Sequence, residues 1–405
     1  MTLDRQRRTR CVLVVLAGVV ALLALVKVFL ADVYRVNSGS MRPTLFGGEE
    51  ARAEDRRELS EWVLVDYERS PRLQRFDLIV LEGERRTEPL VKRVAGLPRE
   101  EVAIVGGDLL VDGRRLAPDA ARPAPVLLFD DALLPLREYF HVSEPRWTEE
   151  AGFWRVTSAP GEAALPDTLM RFGPDLTDGY LRSDGAFVPG LLQVNDGVLA
   201  LEARVAEAQG RIVLELVEEG DDFRAELDLG GVEPRLRLLR KNAAIARARR
   251  AATGSPWAIL LDEPIDFALD QWHAVRFANV DNHLHVRIDG LEFGCSYENN
   301  APAEGPRSTE TPRSIGTRVS FGADGATVDY RRVRVYRDLF WTGTGDHATR
   351  SPYVLGPDEL FLLGDNSTYS TDSRTFGAVP LREIRGRPIA VVWPPERARR
   401  LSGTD

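Results

Sequence analysis

Cysteine is scarce in this chain: Cys11 and Cys295 are the only two in 405 residues, and the first sits inside an apolar run. Two are too few for a disulfide framework or a paired-cysteine zinc site, and they leave the redox compartment open. Histidine numbers five, and none falls in a segment joined to the serine motif described below. No long block of lysine and arginine occurs, and the formal net charge is -9. This excludes nucleic acid as a partner, because phosphate binding needs clustered basic side chains. Only one long apolar run is present, so a single membrane span is the most the chain offers. The remainder, 43% hydrophobic and 28% charged, describes an ordinary folded chain with length for two or three domains.

The apolar run, residues 11–31, reads CVLVVLAGVVALLALVKVFLA, about the twenty residues a helix needs to cross the hydrocarbon layer. Its one charge, Lys27, lies a turn from the far end, where the long stem reaches the interface. Arg5, Arg7, Arg8 and Arg10 precede it; the positive-inside rule keeps that flank, residues 1–10, in the cytoplasm and places the rest outside. A cleaved secretory signal is the competing reading. The run exceeds the usual ~7–15 residue apolar core of such signals, and no small-x-small cleavage pattern precedes "DVYRV". The sequence therefore predicts an uncleaved, single-pass anchor in the cytoplasmic (inner) membrane, with membrane lipid as a partner.

Just past the run stands "VNSGSMRPTL", residues 36–45. A serine hydroxyl is a weak nucleophile and needs a neighbouring base. Lysine serves if burial lowers its pKa from about 10.4 by several units. In "EPLVKRVAGLP" Lys92 shares one face of an expected strand with Leu90 and Val94, the apolar setting a desolvated base requires; taken alone, such a lysine is more often an edge-strand charge. Further on, "ELFLLGDNSTYSTDSRTFGAVP", residues 359–380, gives a strand, a Gly-Asp-Asn turn and a polar loop. In that loop Asp372 and Arg374 stand at pairing distance, and Ser370 has a hydroxyl to offer an amine.

Taken in order behind an N-terminal anchor, "SGSMRPTL", "RFDLIVLE", "LVKRVAGLP" and "GDNSTYSTDSR" resemble the boxes of the bacterial type I signal peptidases. The resemblance implies a mostly β catalytic domain and a membrane-bound serine endopeptidase that removes signal peptides from exported preproteins at the outer membrane face. No cofactor is implied. Carried over, Ser40 is the nucleophile and Lys92 the general base. The Ser40 N–H and the Ser38 hydroxyl are the oxyanion donors, and Ser370 orients the lysine. Asp372 and Arg374 form a structural ion pair, Gly364, Asp365 and Asn366 a tight turn, and Met41 and Pro43 a wall beside the nucleophile. The strands near Val36 and Leu90 flank an extended substrate with small residues before the cut. Three segments depart from the pattern: Arg75-Phe76-Asp77 stands for Arg-Gly-Asp, Gly96-Leu97-Pro98-Arg99-Glu100 for Gly-Leu-Pro-Gly-Asp, and Ser367-Thr368-Tyr369 for Arg-Asp-Asn.

The peptidase-like parts span residues 32–118 and 351–395, followed by a tail, 396–405. The insertion between them, 119–350, is more than half of the chain. Its alternating segments, among them "GVLALEARV", "GRIVLELVEE", "HLHVRIDG" and "VDYRRVRVYRD", predict an antiparallel β-sandwich over about 150–338, with a hairpin at Asp281-Asn282. "QWHAVRFANVDNHLHVRIDGLEF" and "VSFGADGATVDYRRVRVYR" resemble concanavalin-like and laminin-G-like jelly rolls, which implies a glycan or protein ligand. His283 and His285 read as solvent-side strand residues, since no further ligands stand at metal spacing. Asp262, Glu263, Asp266 and Asp270 lack a calcium-loop pattern and read as a charged loop. No metal site is expected. "KNAAIARARRAA" favours a helix, and residues 302–314 a loop. The rival function is a membrane-tethered binding module on an inactive peptidase scaffold. Such a module has no use for Ser40, Lys92 and Ser370 together.

Overall fold

A computed structural model describes Gly18 and residues 31–47, 60–67, 73–82, 88–117, 120–142, 146–159, 168–182, 184–218, 220–298 and 318–402. The chain divides into two compact units, residues 1–114, 121–123 and 341–405, and residues 115–120 and 124–340. Among the described residues no helix is long and apolar enough to cross a membrane. The expected span lies outside them except for Gly18 and Ala31, and Ala31 already begins the first strand.

In the first unit, β1 (Ala31–Arg35), β2 (Trp62–Asp66), β3 (Leu78–Leu81), β4 (Leu90–Gly96), β5 (Glu359–Leu363) and β6 (Ile384–Trp393) form one antiparallel sheet. Its order is β1-β2-β6-β3-β4-β5, so the last long strand of the chain runs between two of the earliest. Period-two alternation explains why β3 is apolar throughout. Leu78 and Val80 join a core with Val36, Met41, Leu45, Val63 and Val65, while Ile79 and Leu81 join a second with Val94, Leu360 and Leu362.

Phe76 and Arg99, which stand where the resembled pattern has glycine, keep the left-handed backbone, with φ of 71° and 72°. An L side chain there costs about 1–2 kcal/mol. Phe76 offsets this by burying its ring in a stacked contact with Trp341, 6.3 Å between centroids. Arg99 is exposed and gains no such packing. Arg99→Gly is therefore expected to raise stability by about 0.5–1 kcal/mol, read as a higher urea midpoint at unchanged slope. A lower midpoint would mean that the arginine side chain holds the turn.

The second unit is a β-sandwich. One sheet runs Trp147–Glu150, Phe153–Thr157, Thr327–Arg337, Gly197–Val205, His273–Val280, His283–Ile288 and Leu291–Ser296 in spatial order, with Val126–Asp130 also paired to Thr327–Arg337. The other runs Ala258–Pro264, Arg235–Lys241, Asp221–Asp228, Arg211–Glu218, Arg318–Asp324, Leu169–Phe172 and Phe140–His141. Both contribute to one core, in which Phe129, Phe140, Trp147, Phe321 and Tyr330 meet edge to face or tilted. The buried Tyr330 hydroxyl donates to the Gly322 carbonyl at 2.6 Å, which removes the cost of burying it.

The alternation-based strands fall where expected, and the Asp281-Asn282 hairpin turns through two left-handed residues, φ 51° and 61°, as a two-residue hairpin requires. The sandwich begins earlier than 150, however, because Val126–Asp130 and Phe140–His141 are strands of these sheets. Short strands flanked by proline and charge carry too little periodicity to announce themselves. Asp262 and Glu263, read as loop, lie on the edge strand Ala258–Pro264, where Asp262 pairs with Arg235 and Arg237. The basic stretch is the helix Ala243–Thr253, capped by the Asn242 side chain and ended at Gly254, φ 74°. The loop 302–314 lies outside the described residues.

Candidate active site

The first unit brings the expected side chains together. β1 delivers the chain to a single 3-10 turn, Gly39–Met41, that holds Ser40. Lys92 sits mid-β4, opposite Ile79 of β3, and is only 2% exposed. It is a buried amine, not a solvated charge. Its Nζ donates to Ser40 Oγ at 2.7 Å and to Ser370 Oγ at 3.2 Å, while the Ser38 and Ser40 hydroxyls are 3.1 Å apart. Two hydroxyls 330 positions apart in sequence thus converge on one amine. That contact geometry is what proton transfer between hydroxyl and amine needs.

The turn before Ser370 works as a clamp on the nucleophile. A Cβ on Gly364 would lie 2.2 Å from Ser370 Oγ and 2.6 Å from the Ser40 carbonyl oxygen, so no other residue fits between them. Asn366 ties down the nucleophile turn twice, its N–H donating to the Ser40 carbonyl and its Nδ2 to the Gly39 carbonyl, each at 3.0 Å. Asp365 accepts from Arg93 Nε at 2.8 Å and Nη2 at 2.7 Å, with both side chains fully buried. It also accepts from the Thr44 hydroxyl at 2.5 Å, and Arg93 Nη1 reaches the Phe76 carbonyl at 2.9 Å. Such a fork-to-fork pair fixes orientation as well as charge.

Asp372 and Arg374 pair as expected, at 2.8 Å. The Asp372 carboxylate also accepts from the Gly364 N–H at 3.0 Å. Burial pushes the Asp372 carboxyl up, but the hydrogen bonds and charge of Arg374, the Gly364 N–H and the Ser370 hydroxyl outweigh it and hold it below the usual carboxylate range. Arg374 extends further, to Ser367 Oγ at 2.5 Å, the Ser367 carbonyl at 2.8 Å and the Thr342 side chain and carbonyl. Ser367, the first residue of the departing Ser-Thr-Tyr triplet, is therefore a buried partner that closes the loop around Arg374.

Met41 is buried beside Ser40, and Pro43 is partly buried in the turn that follows. Val36 turns its side chain into the core and gives its N–H to the Glu61 carbonyl. Leu90 opens β4, half-buried. β5 pairs with β4 at Arg93, Val94 and Gly96. Sequence reading missed Arg93, Thr44, Thr342 and Ser367. A charged residue next to Lys92 in a strand buried on both faces is the one local sign of Arg93. His283 and His285 sit on a strand, His283 Nδ1 at 2.9 Å from Ser296 Oγ. Burial lowers the His285 pKa, against the nearby Glu292 carboxylate.

Residues 8–131 and 298–393 match the family described as signal peptidase, peptidase S26. The chain is similar to "Signal peptidase I P" of Bacillus subtilis subsp. natto, 34% identical over 94 residues, 23% of this chain and 45% of that one. It is also similar to "Signal peptidase I" of Bacillus caldolyticus, 32% identical over 114 residues, 28% and 57% of the two chains. "Mitochondrial inner membrane protease subunit 2" of Danio rerio is 40% identical over 53 residues, 13% and 29% of the two. The chain thus spans about half the length of the signal peptidase relatives it matches. Among solved structures, carbohydrate binding module CBM66 from Bacillus subtilis overlaps 49% of this chain and 94% of that one, at a TM-score of 0.30 and 8% identity.

Proposed function

The chain belongs to the signal peptidase family, peptidase S26, and from that premise we propose that it is a membrane-anchored serine endopeptidase cutting signal peptides from exported preproteins. The 2.7 Å contact between Lys92 Nζ and Ser40 Oγ carries this reading. A neutral Lys92 amine accepts the Ser40 proton as Oγ attacks the scissile carbonyl, forming a tetrahedral intermediate. The Ser40 N–H and the Ser38 hydroxyl face the developing oxyanion. Collapse breaks the C–N bond, and Lys92 returns the proton to the leaving amine. Water, deprotonated by the same amine, then releases the acyl group from Ser40. Ser370, itself held by Asp372, keeps Nζ in place through both steps.

The strands near Val36 and Leu90 would flank an extended peptide, so that affinity comes from main-chain pairing and selectivity from pockets. Membrane attachment rests on the apolar run 11–31 and on an outward apolar face. Val33 of β1, Trp62 of β2 and Ile389, Val392 and Trp393 of β6 are all exposed, with Trp62 and Trp393 paired across the strands. Exposed aromatics and aliphatics on one face of a sheet suit the membrane interface.

The test is cleavage of a purified preprotein with an Ala-x-Ala site, in detergent, beside the same preprotein carrying Phe at the residue before the cut. Cleavage after the second Ala, seen by N-terminal sequencing of the product, is expected to fall at least tenfold with Phe. Equal cutting of both, or cutting elsewhere, would refute the assignment of substrate.

A further inference from the structure

Glu61 is 0% exposed, and its hydrogen bonds among the described residues all go to the nucleophile loop or to the C-terminal tail. Its carbonyl accepts the Val36 N–H at 2.9 Å, ahead of Ser40, and its own N–H donates to the Phe46 carbonyl at 2.8 Å, beyond Ser40. Its Oε2 also accepts the Phe46 N–H, at 3.1 Å. One residue thus closes both ends of the loop 36–46, which carries Ser38 and Ser40.

A buried carboxylate needs a cation, and among the described residues Glu61 meets one. Arg399 Nη1 donates to Oε1 at 2.8 Å and Nη2 to Oε2 at 3.2 Å, a two-point grip that fixes orientation as well as charge. Arg399 Nη2 also donates to the Thr44 carbonyl at 2.7 Å. The Thr44 hydroxyl donates to Asp365, so the tail and the Gly-Asp-Asn turn hold this residue from two directions. The tail itself is seated beside the loop. Arg399–Arg400 pairs with β6, the Arg397 guanidinium lies 4.7 Å from the Phe46 ring centroid, and Leu401 packs against the core that holds Val36, Met41 and Leu45.

We propose that Arg399 is a positioning residue for the nucleophile, holding the Ser40 loop through Glu61 and the Thr44 carbonyl. The proposal rests on the peptidase reading, which gives that loop a reaction to perform. Misplacing a reacting group by about 1 Å can cost ~10²-fold in rate, and the loop carries both the attacking Oγ and the Ser40 N–H that faces the oxyanion. Loosening it weakens interactions made in the transition state, so kcat falls while KM stays. The Arg399 side chain is 37% exposed, so its removal empties a surface position and leaves the packed strands β3 and β4 alone.

Preprotein cleavage, urea midpoints and amide hydrogen exchange of the full chain in detergent test it, in wild type, Arg399→Ala, Arg399→Lys and the double variant Arg399→Ala with Glu61→Gln. Arg399→Ala is expected to lower kcat at least tenfold with KM within twofold, and to speed exchange at least tenfold across residues 36–46 but not in β3 or β4. It also strands the Glu61 charge and loses stability. Glu61→Gln removes that charge and keeps an acceptor for the Phe46 N–H, so the double variant should regain the urea midpoint while kcat stays low. This separates placement of the loop from general stability. Arg399→Lys, with one point of contact in place of the fork, should fall between. A wild type inert on every preprotein would overturn the peptidase reading and the catalytic role with it, whereas unchanged exchange in Arg399→Ala would overturn the tie itself. The proposal is also overturned by an Arg399→Ala kcat within twofold of wild type, by a rise in KM alone, or by kcat returning with the midpoint in the double variant.

Discussion

Replacing Lys92 by methionine is expected to abolish preprotein cleavage while leaving the protein folded. The side chain is buried between β3 and the Ser370 loop, and methionine fills the same space without charge. What disappears is the one amine in contact with both Ser40 and Ser370. Loss of a positioned general base lowers the rate by roughly 10²–10⁴-fold, and kcat falls rather than KM rising because substrate contacts remain. Lys92→Arg should fail as well, since a guanidinium stays protonated at any working pH. In the wild type the rate should fall as the pH is lowered, because a protonated Lys92 cannot accept the Ser40 proton. Cleavage by Lys92→Met at near the wild-type rate would remove Lys92 from the chemistry.

The largest stability effect is expected at the Arg93–Asp365 pair. Both side chains are wholly buried, so Asp365→Ala strands a guanidinium that cannot lose its proton. Breaking a buried pair by removing one partner costs about 3–5 kcal/mol, a large share of the ~5–15 kcal/mol that keeps a domain folded. The double variant Arg93→Met with Asp365→Leu is expected to recover most of that loss, because neither charge is then left unmatched. Denaturant midpoints of wild type, the single variant and the double variant decide it. A single variant as stable as wild type would show that the pair is not what joins β4 to the Gly-Asp-Asn turn. Asp372 adds an acid sensitivity to the same region. Its carboxyl lies below the usual range in the folded protein. The stability it contributes is therefore complete above the ordinary carboxylate pKa near 4 and is lost as pH falls through the lowered value.

Local signals carried the candidate site only part of the way. Ser40, Lys92 and Ser370 stood out because each sits in a short segment with its own character: a turn, an apolar strand and a polar loop. Their convergence was implied by resemblance and is visible in the geometry. Arg93 was overlooked because its partner stands 272 residues away, and no periodicity connects the two. Phe76 looked like a plain departure from glycine. Its left-handed backbone is accommodated by Trp341, a residue on the far side of the insertion. The sandwich strands were legible where alternation ran for six or more residues, as in His283–Ile288, Gly197–Val205 and Thr327–Arg337. The four- and two-residue strands at Trp147–Glu150 and Phe140–His141 were not, since so short a run cannot establish a period.

The most direct test of the central claim is to mix wild type and Ser40→Ala with an excess of a peptide ester that carries the Ala-x-Ala sequence before its ester bond, quench in acid within milliseconds, and weigh the intact proteins. The dyad account predicts a wild-type species heavier by the acyl fragment, mapping to the peptide that contains Ser40, with no adduct and no turnover in Ser40→Ala. Turnover by Ser40→Ala, or an adduct on any other residue, would contradict it.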